Sequence, residues 1–330
     1  MEYEDFINEW VNNEDFIVVR TSGSTGIPKE IKLPKPFVAN SARRTIDFFN
    51  ILPSHHIHSC ISPDYIGGKM MAVRSIISGA SLSWEKPSNR TLADFGNNKS
   101  IDLLAIVPSQ MIHLLENQKK LPVIRNIIVG GSPVNPKLRK KIAVSGFNAF
   151  ETYGMTETAS HIALRRICHE EVPFETLKGI KVGSTVDECL TITFETGEKF
   201  VTNDLCTLIS DTKFFIRGRK DDIIISGGKK INPSEIESKI DHLINSSFCL
   251  TSLPDEKWGQ KLVLLIRENY NSESNEKLKK DLKEVLNNWE IPKEIFYVKE
   301  LPSTPSGKKL RRISLSSLSI LISPSQGKES

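Results

Sequence analysis

The chain has 330 residues, with 44 Lys and Arg against 40 Asp and Glu, and it is 38% hydrophobic and 25% charged. Its length predicts two domains, and its interspersed charges leave no basic stripe, which argues against a nucleic-acid partner while leaving small anions unrepelled. No run is apolar for long enough to span a bilayer; Cys60, Cys168, Cys189, Cys206 and Cys249 form no Cys-x-x-Cys pair, and the acidic start lacks a signal peptide's features, so a reducing cytoplasm is expected.

In chain order, residues 16–20 (Phe-Ile-Val-Val-Arg) read as a buried strand. Behind it come Thr21, Ser22, Gly23, Ser24, Thr25, Gly26, Ile27, Pro28 and Lys29. Two glycines that free the backbone, four hydroxyls and a lysine form a loop suited to wrapping phosphates. It is not a Walker A loop, because Pro28 separates the glycines from Lys29 and the apolar run 31–33 follows. A Ser/Gly turn between hairpin strands is the alternative. His55, His56 and His58 read as a solvated turn entering a strand, with no acidic or Cys partner at ligand spacing.

Short β-branched runs at 57–61, 103–107 and 126–129 alternate with helical stretches at 108–115 and 136–144, each carrying proline near its start. That alternation predicts a layered α/β domain with much parallel sheet and its ligand site at the carboxyl ends of strands. The pattern changes near Arg219. Residues 232–235 (Asn-Pro-Ser-Glu) carry an N-cap, a proline at the first helical position and a capping-box Glu. Strands at 248–253, 261–267 and 295–298, a helix through Leu278, Leu282, Leu286 and Trp289, and a last packed segment at 315–322 complete a small α+β domain. Its boundary, at about 217/218, is dense in charge and suits a hinge.

Four further segments bear on chemistry: Tyr153-Gly-Met-Thr156-Glu157-Thr, Thr202-Asn-Asp204, Gly218-Arg219-Lys-Asp221, and Pro302-Ser-Thr-Pro-Ser-Gly-Lys308. Read singly, each has a plain structural meaning. Thr156-Glu157 is a helix cap with a first-turn acid, Tyr153 a core aromatic, Asp204 and Arg219 a surface ion pair, and Lys308 a solvated lysine beside Lys309, Arg311 and Arg312. In this order, together with the loop at 21–29, they resemble the adenylate-forming superfamily of acyl-CoA synthetases, carrier-loading adenylation domains and luciferases, over about residues 16–312.

The resemblance implies a large α/β N-terminal domain at 1–217 and a small mobile α+β domain at 218–330. It implies a soluble ligase taking a small carboxylic acid, ATP with Mg2+, and CoA. Tyr153 would lie against adenine, Thr156 would bond the α-phosphate or the reacting carboxylate, and Glu157 would hold Mg2+. Asp204 and Arg219 would take the ribose hydroxyls, and Lys308 would bridge carboxylate and α-phosphate. Rotation about Asp221 would then exchange Lys308 for Gly227 and Gly228 beside the pantetheine path.

Three features depart from the broad family. The usual aromatic-His-x-x-Gly gate reads Pro63-Asp-Tyr65-Ile-Gly67-Gly68, and Thr-Gly-Asp reads Thr202-Asn-Asp204. The phosphate loop also begins twenty residues in, so the N-terminal subdomain of ordinary members is expected to be missing. This trimmed form most resembles the o-succinylbenzoate-CoA ligases of menaquinone biosynthesis. Tyr65, Lys69, Arg74, Ser160 and His161 then become acyl-site candidates, with Lys69 or Arg74 taking the second carboxylate unless both lie on a solvated helix face. A ligase for another acid and a noncatalytic nucleotide-binding paralogue are the competing readings.

Overall fold

Tyr3 and Phe6 stand one turn apart and are the two residues of α1 (Tyr3–Val11), a helix at the start of the chain, that are fully buried, while Ile7, Trp10 and Val11 are partly or largely exposed. In the computed structural model the described residues are 1–20, 29–96, 100–302 and 309–321, Ile320 by its backbone only. They divide into two units.

The larger unit comprises Met1–Gly183, Ile192–Phe200 and Leu208–Phe215. After α1, β1 (Phe16–Arg20) pairs antiparallel with β2 (Glu30–Pro34), and Arg20 faces Glu30 across a 3.0 Å ion pair that closes the ends of the intervening loop. Next come α2 (Lys35–Phe49), β3 (His56–Ser59), α3 (Ile66–Ser78), β4 (Ser81–Trp84), β5 (Leu103–Ile106), α4 (Pro108–Glu116), β6 (Ile127–Val129), α5 (Pro136–Ala143) and β7 (Ala149–Met155). Strands β4, β3, β5, β6 and β7 are parallel neighbours in that spatial order. The runs at 57–61, 103–107 and 126–129 expected from the sequence are β3, β5 and β6; β5 and β6 are buried on both faces as central parallel strands are, whereas the edge strand β4 is not buried. Leu104, Ile106, Ile127 and Val129 pack with Met111 and Leu114 of α4 and Leu138 and Ile142 of α5.

From β7 the sheet turns antiparallel through β8 (Ser160–Arg166) and β9 (Phe174–Thr176). It continues with β10 (Ile180–Ser184), β11 (Cys189–Phe194), β12 (Lys199–Leu208) and β13 (Lys213–Arg219), in the order β10-β11-β12-β13-β9-β8-β7-β6-β5-β3-β4.

The smaller unit comprises Ser184–Thr191, Val201–Thr207 and Ile216–Ser330. Here β14 (Ile224–Ser226) and β15 (Lys229–Ile231) form a hairpin, and α6 (Pro233–Ile240) follows. Asn232 caps α6 by accepting from the Ser234 N–H at 3.1 Å, but Glu235 does not close the expected capping box and instead lies 3.6 Å from Arg217. β16 (Phe248–Asp255) pairs antiparallel with β17 (Gly259–Ile266), α7 (Ser272–Val285) crosses over, and β18 (Glu294–Tyr297) pairs parallel with β17. Helix α7 ends before Trp289, which is 52% exposed, because Leu286 is already extended and the Asn287 N–H turns to the Glu290 carboxylate at 3.1 Å. In α8 (Leu315–Leu321), Leu318 packs against Leu253, Val263 and Ile313 while Leu315 faces outward. A layered α/β unit with a largely parallel centre and a smaller α+β unit thus agree with the expected fold class. No helix among the described residues is long and apolar enough to cross a membrane.

Candidate active site

Tyr153, Thr156 and Glu157 lie where β7 ends and folds back into β8 through a single 3-10 turn, Thr156–Thr158. That reversal needs Gly154, because a Cβ there would meet the Ser160 carbonyl oxygen at 2.3 Å, and the β7/β8 register shifts at this point. Ala159 and Ser160 take positive φ values of 52° and 88°, a conformation costly for side-chain-bearing residues and held here by packing. Ser41 of α2 donates to the Ala159 carbonyl at 2.7 Å, and the Thr158 hydroxyl accepts from the Met155 N–H at 3.1 Å. Thr156 and Glu157 are therefore fixed at the carboxyl end of a sheet strand and half exposed. The Tyr153 ring meets Phe214 edge-on at 5.3 Å and Phe174 at 5.7 Å. Among the described residues nothing pairs with the Glu157 carboxylate, whose hard oxygens suit a Mg2+ ion.

The acyl-site candidates belong to the same unit. Tyr65 stands at the N-terminus of α3 and is 56% exposed. Gly68 lets α3 approach the preceding chain, since a Cβ would lie 2.3 Å from the Ser62 carbonyl oxygen. Lys69 and Arg74 do not lie on a solvated helix face; both are buried, at 2% and 1% exposure. Lys69 is neutralised by Glu9 of α1 at 2.8 Å and sits over the Phe6 ring at 4.3 Å. Among the described residues Arg74 has no such partner: Nε and Nη2 have no hydrogen-bond partner there, and Nη1 has the Met71 sulfur at 3.5 Å.

Burial pulls the Arg74 guanidinium down from its ordinary range, partly offset by Tyr3. His161 of β8 is buried with its Nε2 2.9 Å from the Thr45 hydroxyl. Burial first, then the Arg74 charge, holds it well below the ordinary histidine range and keeps the imidazole neutral. Glu9 and Thr45 were missed from sequence, Glu9 because no helix was read at the N-terminus.

In the smaller unit, Arg219 joins Asp204 (3.0 Å) to Asp221 (3.4 Å), and Asn203 donates to Asp221 at 3.0 Å. Gly218, at φ 143°, is required locally, because a Cβ would meet the Asn232 side-chain oxygen at 2.8 Å. Gly227 and Gly228, at φ 55° and 77°, are the two central residues of the β14/β15 hairpin, a turn that needs left-handed backbone at both. Lys29 is described and lies just before β2; Thr21, Ser22, Gly23, Ser24, Thr25, Gly26 and Lys308 lie outside the described residues.

One expectation is corrected. His58 is no solvated turn residue but 2% exposed on β3, and Cys60 and Glu85 stand beside it. Glu85 was invisible to local spacing because parallel pairing of β3 with β4 brings it there.

Residues 4–189 match the family model described as AMP-binding enzyme, and residues 246–308 match the AMP-binding enzyme C-terminal domain. The 2-succinylbenzoate–CoA ligase of Lactococcus lactis subsp. lactis (strain IL1403) is 27% identical over 320 residues, covering 90% of this chain and 70% of that protein. An acyl-CoA synthetase (AMP-forming)/AMP-acid ligase II-like protein from Dyadobacter fermentans is 32% identical with a TM-score of 0.60, covering 92% of this chain and 90% of that one. The Bacillus subtilis o-succinylbenzoate coenzyme A synthetase in complex with AMP shares the fold, with a TM-score of 0.77 at 22% identity over 95% of this chain and 69% of that one.

Proposed function

Because the chain belongs to the AMP-binding enzyme family, we propose that it is an AMP-forming acid–CoA ligase that activates o-succinylbenzoate and passes the acyl group to CoA. A free carboxylate is a poor electrophile, so it first attacks the α-phosphorus of ATP and expels pyrophosphate, and the CoA thiolate then displaces AMP from the acyl-adenylate. In this reading the loop at 21–29 wraps the phosphates, Tyr153 lies against adenine, and Asp204 with Arg219 takes the ribose. Thr156 donates to the α-phosphate or the attacking carboxylate. Lys308 offsets the negative charge that builds there. Mg2+ on Glu157, when bound, supplies charge neutralisation at the nucleotide phosphates. Asp221 is the hinge between the half-reactions, with residues 1–217 and 218–330 as the two domains, and Gly227-Gly228 lines the thiol's approach.

The observation that carries the substrate assignment is Arg74: a guanidinium stays charged, and here it is buried with two of its nitrogens unbonded. Such a group costs folding energy unless an anion meets it. The ring carboxylate of o-succinylbenzoate, which is not activated, is that anion. Lys69, already paired with Glu9, is a structural cation and positions α1 on α3.

The test compares o-succinylbenzoate with 4-phenyl-4-oxobutanoate, which lacks the ring carboxylate. Arg74→Met is expected to lower kcat/KM for the diacid by about 2–4 kcal/mol of transition-state stabilisation, the order for an unpaired buried charge. Its kcat/KM for the analogue and its ATP affinity should barely change. Equal use of acid and analogue by the unaltered enzyme would overturn the assignment.

A further inference from the structure

We propose that His58, Cys60 and Glu85 form a binding site for one Zn2+-class ion, separate from the nucleotide chemistry, that staples the edge strand β4 to β3. The ligand atoms, His58 Nε2, Cys60 Sγ and a Glu85 oxygen, lie within 4.8 Å of one another, with Nε2 to Oε2 at 3.9 Å. For one thiolate with N and O ligands on a tetrahedral ion, bonds of about 2.0–2.3 Å set the ligand atoms roughly 3.3–3.6 Å apart. Closing the site from 4.8 Å therefore takes a contraction of roughly 1.3 Å at most. The register explains the convergence: His58 pairs with Ser83 in the parallel β3/β4 ladder, so Cys60 and Glu85, each two residues further on, emerge on the same face at the carboxyl ends of adjacent strands.

A hydrogen-bond relay aims the histidine at the site. His56 Nδ1 lies 3.1 Å from the Ser100 carbonyl, which can only accept, so in a neutral ring Nδ1 carries the proton and Nε2 is bare. The Ser83 hydroxyl, 2.6 Å from that Nε2, donates to it and must then accept from His58 Nδ1 at 2.7 Å. That leaves a lone pair on His58 Nε2, which is buried and has no hydrogen-bond partner among the described residues. It faces a thiol and a carboxylate.

The carboxylate is itself oriented, by the Leu92 N–H at 3.0 Å. Outer hydrogen bonds on both the imidazole and the carboxylate are what metal ligands carry. One thiolate, one imidazole and one carboxylate select a borderline-soft ion over Mg2+ or Ca2+. Glu85, 25% exposed, gives the ion a way in and a water in the fourth position. As the Cys60–metal bond forms, the thiol proton leaves to solvent.

The experiment strips the full chain with EDTA, then titrates Co2+ as an optical probe and Zn2+ as competitor. Wild type should gain a thiolate-to-cobalt charge-transfer band with tetrahedral d–d absorption that saturates at one equivalent and is bleached by Zn2+, and its Tm should rise on metal addition. Cys60→Ala should lose the band, Glu85→Gln should weaken binding at least tenfold, and Cys168→Ala should keep both. Should Cys60→Ala fail to fold, Glu85→Gln decides, since Gln can still accept from the Leu92 N–H. Absence of the band in wild type, or unchanged binding in Cys60→Ala or Glu85→Gln, overturns the proposal.

Discussion

Arg311 shows how much one side chain carries in the smaller unit. It bonds the partly buried Glu237 carboxylate at 3.1 Å and donates to the Leu250 carbonyl at 3.0 Å, while Lys309 reaches the same carboxylate at 3.0 Å. Burial pushes the Glu237 pKa up, but the Arg311 hydrogen bond and charge, with Lys309, outweigh it and hold the carboxyl below its ordinary 4.5. A depressed folded pKa gives stability that is present above about pH 4.5 and is lost as pH falls through the folded value. Arg311→Met should cost about 2–3 kcal/mol at pH 7, below the full cost of an unpaired buried charge because Lys309 and the Leu250 N–H still meet that carboxylate. It should also weaken the pH dependence, because only Lys309 and the Leu250 N–H would then oppose burial, so the variant's deficit should shrink toward pH 4. Urea unfolding between pH 4 and 7 reads both; a deficit constant with pH would refute the coupling. From the sequence, Arg311 is one of four basic residues in the stretch 308–312. Its partner lies 74 positions away, beyond any local pattern, as Glu9 lies from Lys69 and Glu85 from His58.

Elements were legible where local signals agreed. The central parallel strands β3, β5 and β6 read clearly as short apolar runs bounded by Gly, Pro or Asn, while the edge strand β4, Ser-Leu-Ser-Trp, gave no such signal; α4, α5 and α6 read clearly because proline marks their first turn. Helix α1 was not, since only Tyr3 and Phe6 of its apolar side reach the core and acids surround them. The antiparallel stretch from β8 to β13 was read only as further alternation, because its charges pair across strands, as Lys213 does with Glu175 at 3.4 Å.

The β14/β15 hairpin gives an element-scale prediction. Gly228 has open space around a would-be Cβ but φ 77°, whereas at Gly227 a Cβ would press into the Trp258 ring at 2.5 Å. Gly228→Asn, tolerant of left-handed backbone, should therefore keep Tm near wild type, Gly228→Val should lose more than about 1 kcal/mol, and Gly227→Ala should lose at least as much. Thermal melts decide it, and equal tolerance of Asn and Val at 228 would mean that the turn does not set the choice. The same reasoning applies at Gly154, whose place in the motif is explained by steric contact with Ser160.

At the scale of the whole molecule, the two half-reactions make opposite demands. We expect Lys308→Ala to abolish adenylate formation while sparing thioester formation from supplied acyl-adenylate, as the Ser-Gly-Lys context suggests. Asp221→Pro should do the reverse, because proline locks a torsion that the domain rotation must change. Single-turnover pyrophosphate release and acyl-CoA formation separate the two. Equal loss of both half-reactions in either variant would remove that residue from its assigned step.

The smaller unit is assembled from three stretches of chain, and its own ion pairs stitch them together: Arg217 to Glu188 at 2.8 Å, Lys220 to Asp187 at 2.8 Å and Arg219 to Asp204 at 3.0 Å. A single genetic crossover just before residue 217 would hand a recipient the three cations without the three acids they answer. Recombination between relatives should then succeed only when the donor also brings 184–191 and 201–207, or when the recipient's acids already match. Shuffled libraries scored for soluble expression would show this as co-inheritance of the three stretches, an evolutionary linkage imposed by electrostatics.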